Sequence, residues 1–450
     1  MWIVLELARD LQDNGRMSET PKRRFRKLRL ALVVCAVLFV SLMLLRPVII
    51  GQVAGAWSRS PNDALSPAAQ AMVDAAFEGI DSKRLVDFHT HVAGIGTGHS
   101  GCEVHPGMRS VWSPVRKFQF DVYLHASGVR DLELADRQYA ERLGELIRAV
   151  PEHGRNFILA FDRHYNEAGE VVPSETEFHV PNEYVMQLAE EFSDCFIPAI
   201  SVHPYRKDAL DELDRFGARG ARLVKWLPSA MGIDLEHELC LPYYERMREW
   251  NMILLTHTGE EKAVHAEEAQ ALGNPLDLRA PLDAGVTVFA AHCGSMGTNE
   301  DGAGEERDNF ALFMELFEEP RYEGLLFGEI STLTQTNRLG EPLMTLLARP
   351  DLFGRLVNGS DYPLPAINFL YQTSQLEDEG WIDEEQRGLL NEVYDVNPLL
   401  FDFVLKRVLR HPETKAALPP SIFMLPAQME IEWPLAAPLE RTGTSEKSGR

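Results

Sequence analysis

Eight short apolar runs recur along the chain with helical patterns between them, and that alternation constrains the fold more than any other feature. The runs are Arg84–His91, Asn156–Phe161, Phe196–Val202, Ala221–Trp226, Met252–His257, Val286–His292, Leu325–Ile330 and Leu356–Ser360. Between them lie NEYVMQLAEEF, ALDELDRFG, YYERMREW and NFALFMELFEE, with apolar residues at i, i+3 and i+4. Runs of this kind build βαβ units on a parallel sheet. Eight of them predict a closed (β/α)8 barrel, an α/β fold of TIM type. The 450 residues accommodate one barrel of about 250 residues plus additions.

The additions sit in three places. The connection from His91 to Asn156 is too long for an ordinary βα loop. Its Gly-rich start, AGIGTGHSGCEVHPGMRS, predicts irregular structure, whereas Asp131 to Val150 predicts helix; at a barrel rim such a connection makes a lid or a substrate wall. At the N-terminus the basic block KRRFRKLR precedes sixteen uncharged residues, Leu30 to Leu45. This pattern predicts a single-pass signal anchor within residues 1–57, with the barrel, 58–411, on the extracytoplasmic side. Cleavage after Ala54-Gly55-Ala56 is the competing expectation and would release an exported form, and Met17 is a candidate start. Residues 412–450 predict an irregular C-terminal extension.

Composition narrows the partners. A net charge of −24 argues against nucleic acid and leaves a small-molecule substrate, the membrane through the N-terminal segment, and a homo-oligomer as the partners to expect. An anionic substrate would need local Arg or Lys to offset that field. The five cysteines are odd in number and form no CxxC pair, so no disulfide framework is visible.

Polar groups gather at the ends of the runs. In VDFHTHVAG, Asp87, His89 and His91 occupy alternate positions, which on a regular strand share one face. Unpaired burial of all three would be costly, and two imidazoles at i and i+2 can converge on a divalent ion; the plain alternative for each is a hydrogen-bonded core residue. ARLVKWLPS, ILLTHTGE, VTVFAAHCG and LVNGSDYP place Lys225, His257, His292 and Asp361 at later run ends. Each alone reads as a snorkelling lysine, a capped histidine or an N-cap aspartate. Together they would meet at one mouth, because strand C-termini converge there in a barrel.

This order of groups resembles the amidohydrolase superfamily, and VDFHTHVAG, GARLVKWLPSAMGID, LLTHTGEE, FAAHCGS, LVNGSDYPLP and NPLLFDF resemble its amidohydrolase-related branch of metal-dependent hydrolases. The resemblance implies a divalent metal, of zinc type, as one or two ions. His89, His91, His257 and Asp361 would bind metal. Lys225 and His292 match positions that, in two-metal members, supply a carboxylated bridging lysine and a ligand of the second ion. In one-metal members the sixth-strand histidine polarises substrate, and an unmodified lysine could hold a substrate carboxylate.

Such an ion lowers the pKa of bound water to about 7. Asp361 would take the proton of the nucleophile and pass it on, and His292 would stabilise the developing oxyanion. Asp87 is expected behind the histidines as an acceptor for an imidazole N–H. Arg163, His203 and Glu329, at predicted strand ends, are expected to line the substrate pocket. Three functions remain open at this point: hydrolysis of an amide, lactone or ester; decarboxylation; and ligand binding by a membrane-tethered barrel without chemistry.

Overall fold

A computed structural model describes residues 21–55, 59–150, 152–426 and 429. Contacts divide the chain into two compact units, Met1–Gly51 and Gln52–Arg450. The N-terminal part of the described chain is a 34-residue helix, Pro21–Ala54, with Pro47 inside it. Among the described residues no helix is long and apolar enough to cross a membrane. This overturns the expected single-pass anchor and the extracytoplasmic placement that followed from it. The uncharged run Leu30–Leu45 covers only about 24 Å at 1.5 Å per residue, against a hydrocarbon core of about 30 Å. Arg46 and Pro47 interrupt it at once. Met17, Ala56, the boundary between residues 57 and 58, and the tail beyond residue 429 lie outside the described residues.

In the second unit all eight apolar runs form strands: β1 (Val86–His91), β2 (Arg155–Leu159), β3 (Phe196–Ala199), β4 (Leu223–Trp226), β5 (Ile253–His257), β6 (Thr287–Ala291), β7 (Leu326–Glu329) and β8 (Leu356–Val357). Neighbours in sequence order pair in parallel from β1 to β3 and from β4 to β8. A bridge between Ile200 and Val224 joins β3 to β4, and one between Thr90 and Tyr362 joins β1 to the segment after β8. The ring is closed, as the alternation predicted.

Its interior is filled. Phe88, Phe157, Leu159, Leu223, Leu255 and Phe289 belong to one inner cluster. Phe88 stacks on Phe157 at 5.3 Å between ring centroids and meets Phe289 edge-on at 5.0 Å. Little room for a ligand is left inside the ring, so chemistry belongs at the rim where the strands end. A larger cluster packs the helices around the ring. The amphipathic patterns appear as helices Asn182–Glu191, Ala209–Ala218, Cys240–Glu249 and Asn309–Phe317.

Two further features frame the site. The β1–β2 connection contains helix Ala135–Arg148, as expected, and an additional helix, Pro114–Ala126. Asp136 pins its Gly-rich start, accepting hydrogen bonds from the Ile95 N–H at 2.7 Å and the Thr97 hydroxyl at 2.9 Å. At the opposite end, Met424 bridges to Leu85 and the Leu425 N–H donates to the Arg84 carbonyl at 2.7 Å. Leu425 and Met429 pack on the inner cluster, so part of the irregular extension closes the bottom of the barrel.

Candidate metal centre

The face shared by β1 is not the one regular alternation predicts. Val86 and Phe88 belong to the inner cluster, whereas Asp87 lies outside it. The register with β2 then shifts: Asp87 faces Asn156, but Thr90 faces Ile158. Three steps on β1 match two on β2, which is a β-bulge. A bulge re-aims the residues beyond it, and here it lets His89 and His91 follow Phe88 inward. Asp87 stays on the outer side, where its carboxylate accepts from the backbone N–H groups of His89 (2.9 Å) and Ser360 (3.0 Å) and from Asn156 Nδ2 (3.1 Å). It ties β1 to β8 and touches no imidazole, a correction to the expected role.

The imidazole partner is Glu329. Its Oε2 lies 2.9 Å from His89 Nδ1, and both side chains are buried. The contact depends on Gly359, where a Cβ would collide with the Glu329 carboxylate and with His89 Cβ. Burial alone would raise the Glu329 carboxyl, but the His89 imidazole and Ser331 outweigh it and hold it below the usual range. An ionised carboxylate only accepts, so His89 Nδ1 is the donor in this pair and Nε2 faces the rim.

At the rim, His89 Nε2 lies 3.2 Å from His91 Nε2 and 3.1 Å from Lys225 Nζ. Asp361 Oδ1 is 3.1 Å from His91 Nε2 and 3.4 Å from His89 Nε2. His292 points Nε2 toward Asp361 Oδ2 at 3.9 Å, while its Nδ1 meets the hydroxyls of Ser331 at 2.8 Å and Thr332 at 3.1 Å. The His257 ring stands 5.0 Å from that of His292, with Nδ1 turned to Glu261 Oε2 at 3.4 Å. His292 and Asp361 hold left-handed backbone, φ 60 and φ 57. Each such residue costs of order 1–3 kcal/mol, and the pair sits where the side chains must turn into the mouth.

Burial controls the protonation of this group. It pushes His91 down to about 4 against the pull of Asp361, and holds His257 and His292 well below the usual imidazole value. Lys225 is pushed down to about 8 by burial, with Asp361 and Glu329 opposing. For Asp361 burial works upward, but the imidazoles of His89, His91 and His292 prevail and hold its carboxyl well below the carboxylate range. Neutral imidazoles at His91, His257 and His292 and an ionised carboxylate at Asp361 are the protonation states that metal ligation requires.

These residues fit a divalent ion. One ligand atom each from His89, His91 and Asp361 lies within 4.8 Å of the others. His257 Nε2 is buried with no hydrogen-bond partner. Lone pairs from neutral imidazoles facing one another gain nothing mutually, and a shared cation would satisfy them. A second group, His89, His292 and Glu329, meets the same distance limit. There, however, Glu329 Oε2 already accepts from His89 and from the Ser331 hydroxyl at 2.8 Å, so this trio acts as a brace behind the ligands.

Among the other expected residues, Glu329 reaches the site as that brace and does not line the pocket. Arg163 is turned away to the exposed rim, where it forms a two-pronged pair with Glu103 at 2.9 and 3.0 Å. His203 is buried beneath the rim, with Nε2 on the Met231 carbonyl at 2.8 Å and Nδ1 accepting from the Tyr205 N–H at 3.1 Å. Neither borders the cavity of the His89–His91–Asp361 group. Unforeseen residues are Glu261, Ser331 and Thr332, and the roof formed by Phe120, Tyr123 and Leu124 of helix Pro114–Ala126. The position of Glu261 four residues after a strand-end histidine was the only hint that it would reach that ring.

No protein-family profile matches the chain, and no curated protein matches it. Similar solved structures include an uncharacterised TIM-barrel protein from Bordetella bronchiseptica, at 15% identity and TM-score 0.43, covering 69% of this chain and 99% of that one. An N-acetyl-D-glucosamine-6-phosphate deacetylase from Mycobacterium smegmatis is similar at 12% identity and TM-score 0.32, covering 62% of this chain; the chain spans only 57% of the deacetylase. A manganese-bound 5-carboxyvanillate decarboxylase from Novosphingobium aromaticivorans is similar at 13% identity and TM-score 0.39, covering 68% of this chain and 93% of that one. At these identities and TM-scores the likenesses carry no weight for activity, which rests on the chain's own residues. The solved structures to which this chain is similar thus include hydrolases and decarboxylases of the amidohydrolase superfamily, the superfamily that its strand-end motifs resemble.

Proposed function

We propose that the chain is a metal-dependent hydrolase adding water to a small-molecule amide, lactone or ester at the barrel rim. The observation that supports this most is the convergence of His89, His91 and Asp361 within 4.8 Å, with the His91 imidazole held neutral and the Asp361 carboxylate ionised. His89, His91, His257 and Asp361 would hold the ion, with Lys225 and His292 serving a second one. A divalent ion there, zinc in view of the nitrogen-rich donors, would bring the pKa of water to about 7 and polarise a substrate carbonyl.

The chain's own groups supply the rest. Asp361 Oδ2 faces His292 rather than the His91 contact and takes the proton of the attacking water, then returns it to the leaving group. His292, steadied at Nδ1 by Ser331 and Thr332, has one of two roles: with two ions bound its Nε2 would ligate the second, and with one ion bound the ring would face the oxygen where negative charge develops. Glu329 keeps His89 in the tautomer that ligates. Helix Pro114–Ala126 covers the group and limits access of bulk water.

One observation favours a second reading, decarboxylation. Among the described residues no carboxylate pairs with Lys225, whose Nζ meets only His89 Nε2 at 3.1 Å. An unmodified, protonated lysine there has donors free for a substrate carboxylate. Elemental analysis of the purified chain, with product analysis on lactones, amides and carboxylated aromatics, decides. Stoichiometric metal with ring-opened or cleaved acid supports hydrolysis. Carbon dioxide from the aromatics supports the second reading, and absence of bound metal overturns both.

A further inference from the structure

The space around the His89–His91–Asp361 group has two lobes. One lies under the β1–β2 connection and is walled by apolar side chains, including Met108, Phe120, Leu124 and Phe178. The other is bordered by His257, Glu261, His292 and Asp361 and by Arg338 and Gln335.

Arg338 is the unusual member. It is only 9% exposed, yet among the described residues no carboxylate forms an ion pair with it. Its Nη1 donates to the Ser295 hydroxyl at 3.0 Å, one bond for a group with five N–H donors. Its backbone N–H donates to the Gln335 carbonyl at 2.9 Å, and Gln335 N–H to the Thr332 carbonyl at 2.9 Å, so consecutive turns hold it beside the segment that braces His292. Glu261 and Asp361 border the same cavity and offset part of the burial of Arg338 without forming an ion pair with it. A buried guanidinium left unpaired is costly in a chain of net charge −24 where ion partners are abundant. This one is left for a ligand. A planar carboxylate matches its fork in two parallel hydrogen bonds.

We propose that Arg338 is the carboxylate-recognition residue of this site and that its substrate class is a small organic acid with an apolar body. The apolar body occupies the lobe under helix Pro114–Ala126, the carboxylate docks on Arg338, and the bond to be cleaved lies between them beside Asp361 and His292. The position of the reacting bond rests on the hydrolase reading; capture of the carboxylate does not. The carboxylate is retained through the reaction, held away from the reacting centre.

The test is calorimetric titration of the full chain, metal-loaded and chelator-treated, with benzoate and 3-phenylpropionate and with their neutral amides. We expect the wild type to prefer the better-bound carboxylate over its amide by about tenfold or more in both states. Arg338→Gln should abolish that preference and Arg338→Lys should restore part of it. A preference undiminished in Arg338→Gln, or equal affinity for carboxylate and amide in the metal-free wild type, overturns the proposal. Should the glutamine variant not fold, Lys225→Met decides: the preference persists if Arg338 captures the carboxylate, and its loss there overturns the proposal. If elemental analysis finds no ion, the hydrolase reading falls while the chelator-treated titration still reports on Arg338.

Discussion

Glu329 Oε2 lies 2.9 Å from His89 Nδ1, in a contact that Gly359, just past the end of β8, makes room for. Three strands therefore cooperate to orient one imidazole. Glu329→Gln keeps an acceptor but removes the charge, and its amide can turn a donor toward the ring. We expect metal affinity to fall about 10–100-fold, read by chelator competition, with little change in the melting profile of the metal-free protein. Unchanged affinity would remove Glu329 from the support of the centre.

Asp361 combines a left-handed backbone with contacts to His91 and His292. Asparagine tolerates that backbone better than most residues, so Asp361→Asn should fold. It cannot accept a proton, and turnover should drop by about 10²–10⁴ or more. Circular dichroism beside steady-state rates checks the two halves separately. Wild-type rates in a folded variant would contradict the assignment.

Lys225 is fully buried and meets His89 Nε2. If it bridges two ions as a carbamate, Lys225→Ala lowers the number of ions per chain measured by elemental analysis. An unchanged count places Lys225 on the substrate instead.

Away from the rim, burial together with Glu236 and Asp234 pushes the Asp277 carboxyl up to about 7. The folded chain thus holds a proton that the unfolded chain releases near pH 4. The stability tied to that proton is present below about pH 4 and is lost as pH rises toward 7. Asp277→Asn should raise the melting temperature over wild type more at pH 8 than at pH 4. An equal difference at both values would mean that the carboxyl titrates normally.

The barrel was legible because an apolar run needs no knowledge of its neighbours to become a strand. The ring order followed from eight such runs. The same simplicity explains why His89, His91, Lys225, His257, His292 and Asp361 converge: each stands in the C-terminal half of a strand or just past its end. What the sequence hid was pairwise. The bulge exists only in the register of β1 against β2, so Asp87 read as a companion of the histidines when it faces Asn156. Arg163 looked available until Glu103, from the β1–β2 connection, claimed it. His203 looked poised until the Met231 carbonyl met it. Arg338 left no pattern at all, since it sits in an irregular segment and its significance is that no ion pair forms with it among the described residues. The N-terminal run misled because hydrophobicity over sixteen residues resembles an anchor.

The seam of the ring lies between β1 and the segment after β8, and Leu425 is latched to Arg84 beneath it. A ribosome delivers the two sides of that seam far apart in time. Until residue 425 emerges, the inner aromatic residues have no floor, and the nascent chain must wait with that surface uncovered. Shortening the chain to end before Met424 should therefore harm solubility, while the rim groups themselves stay untouched.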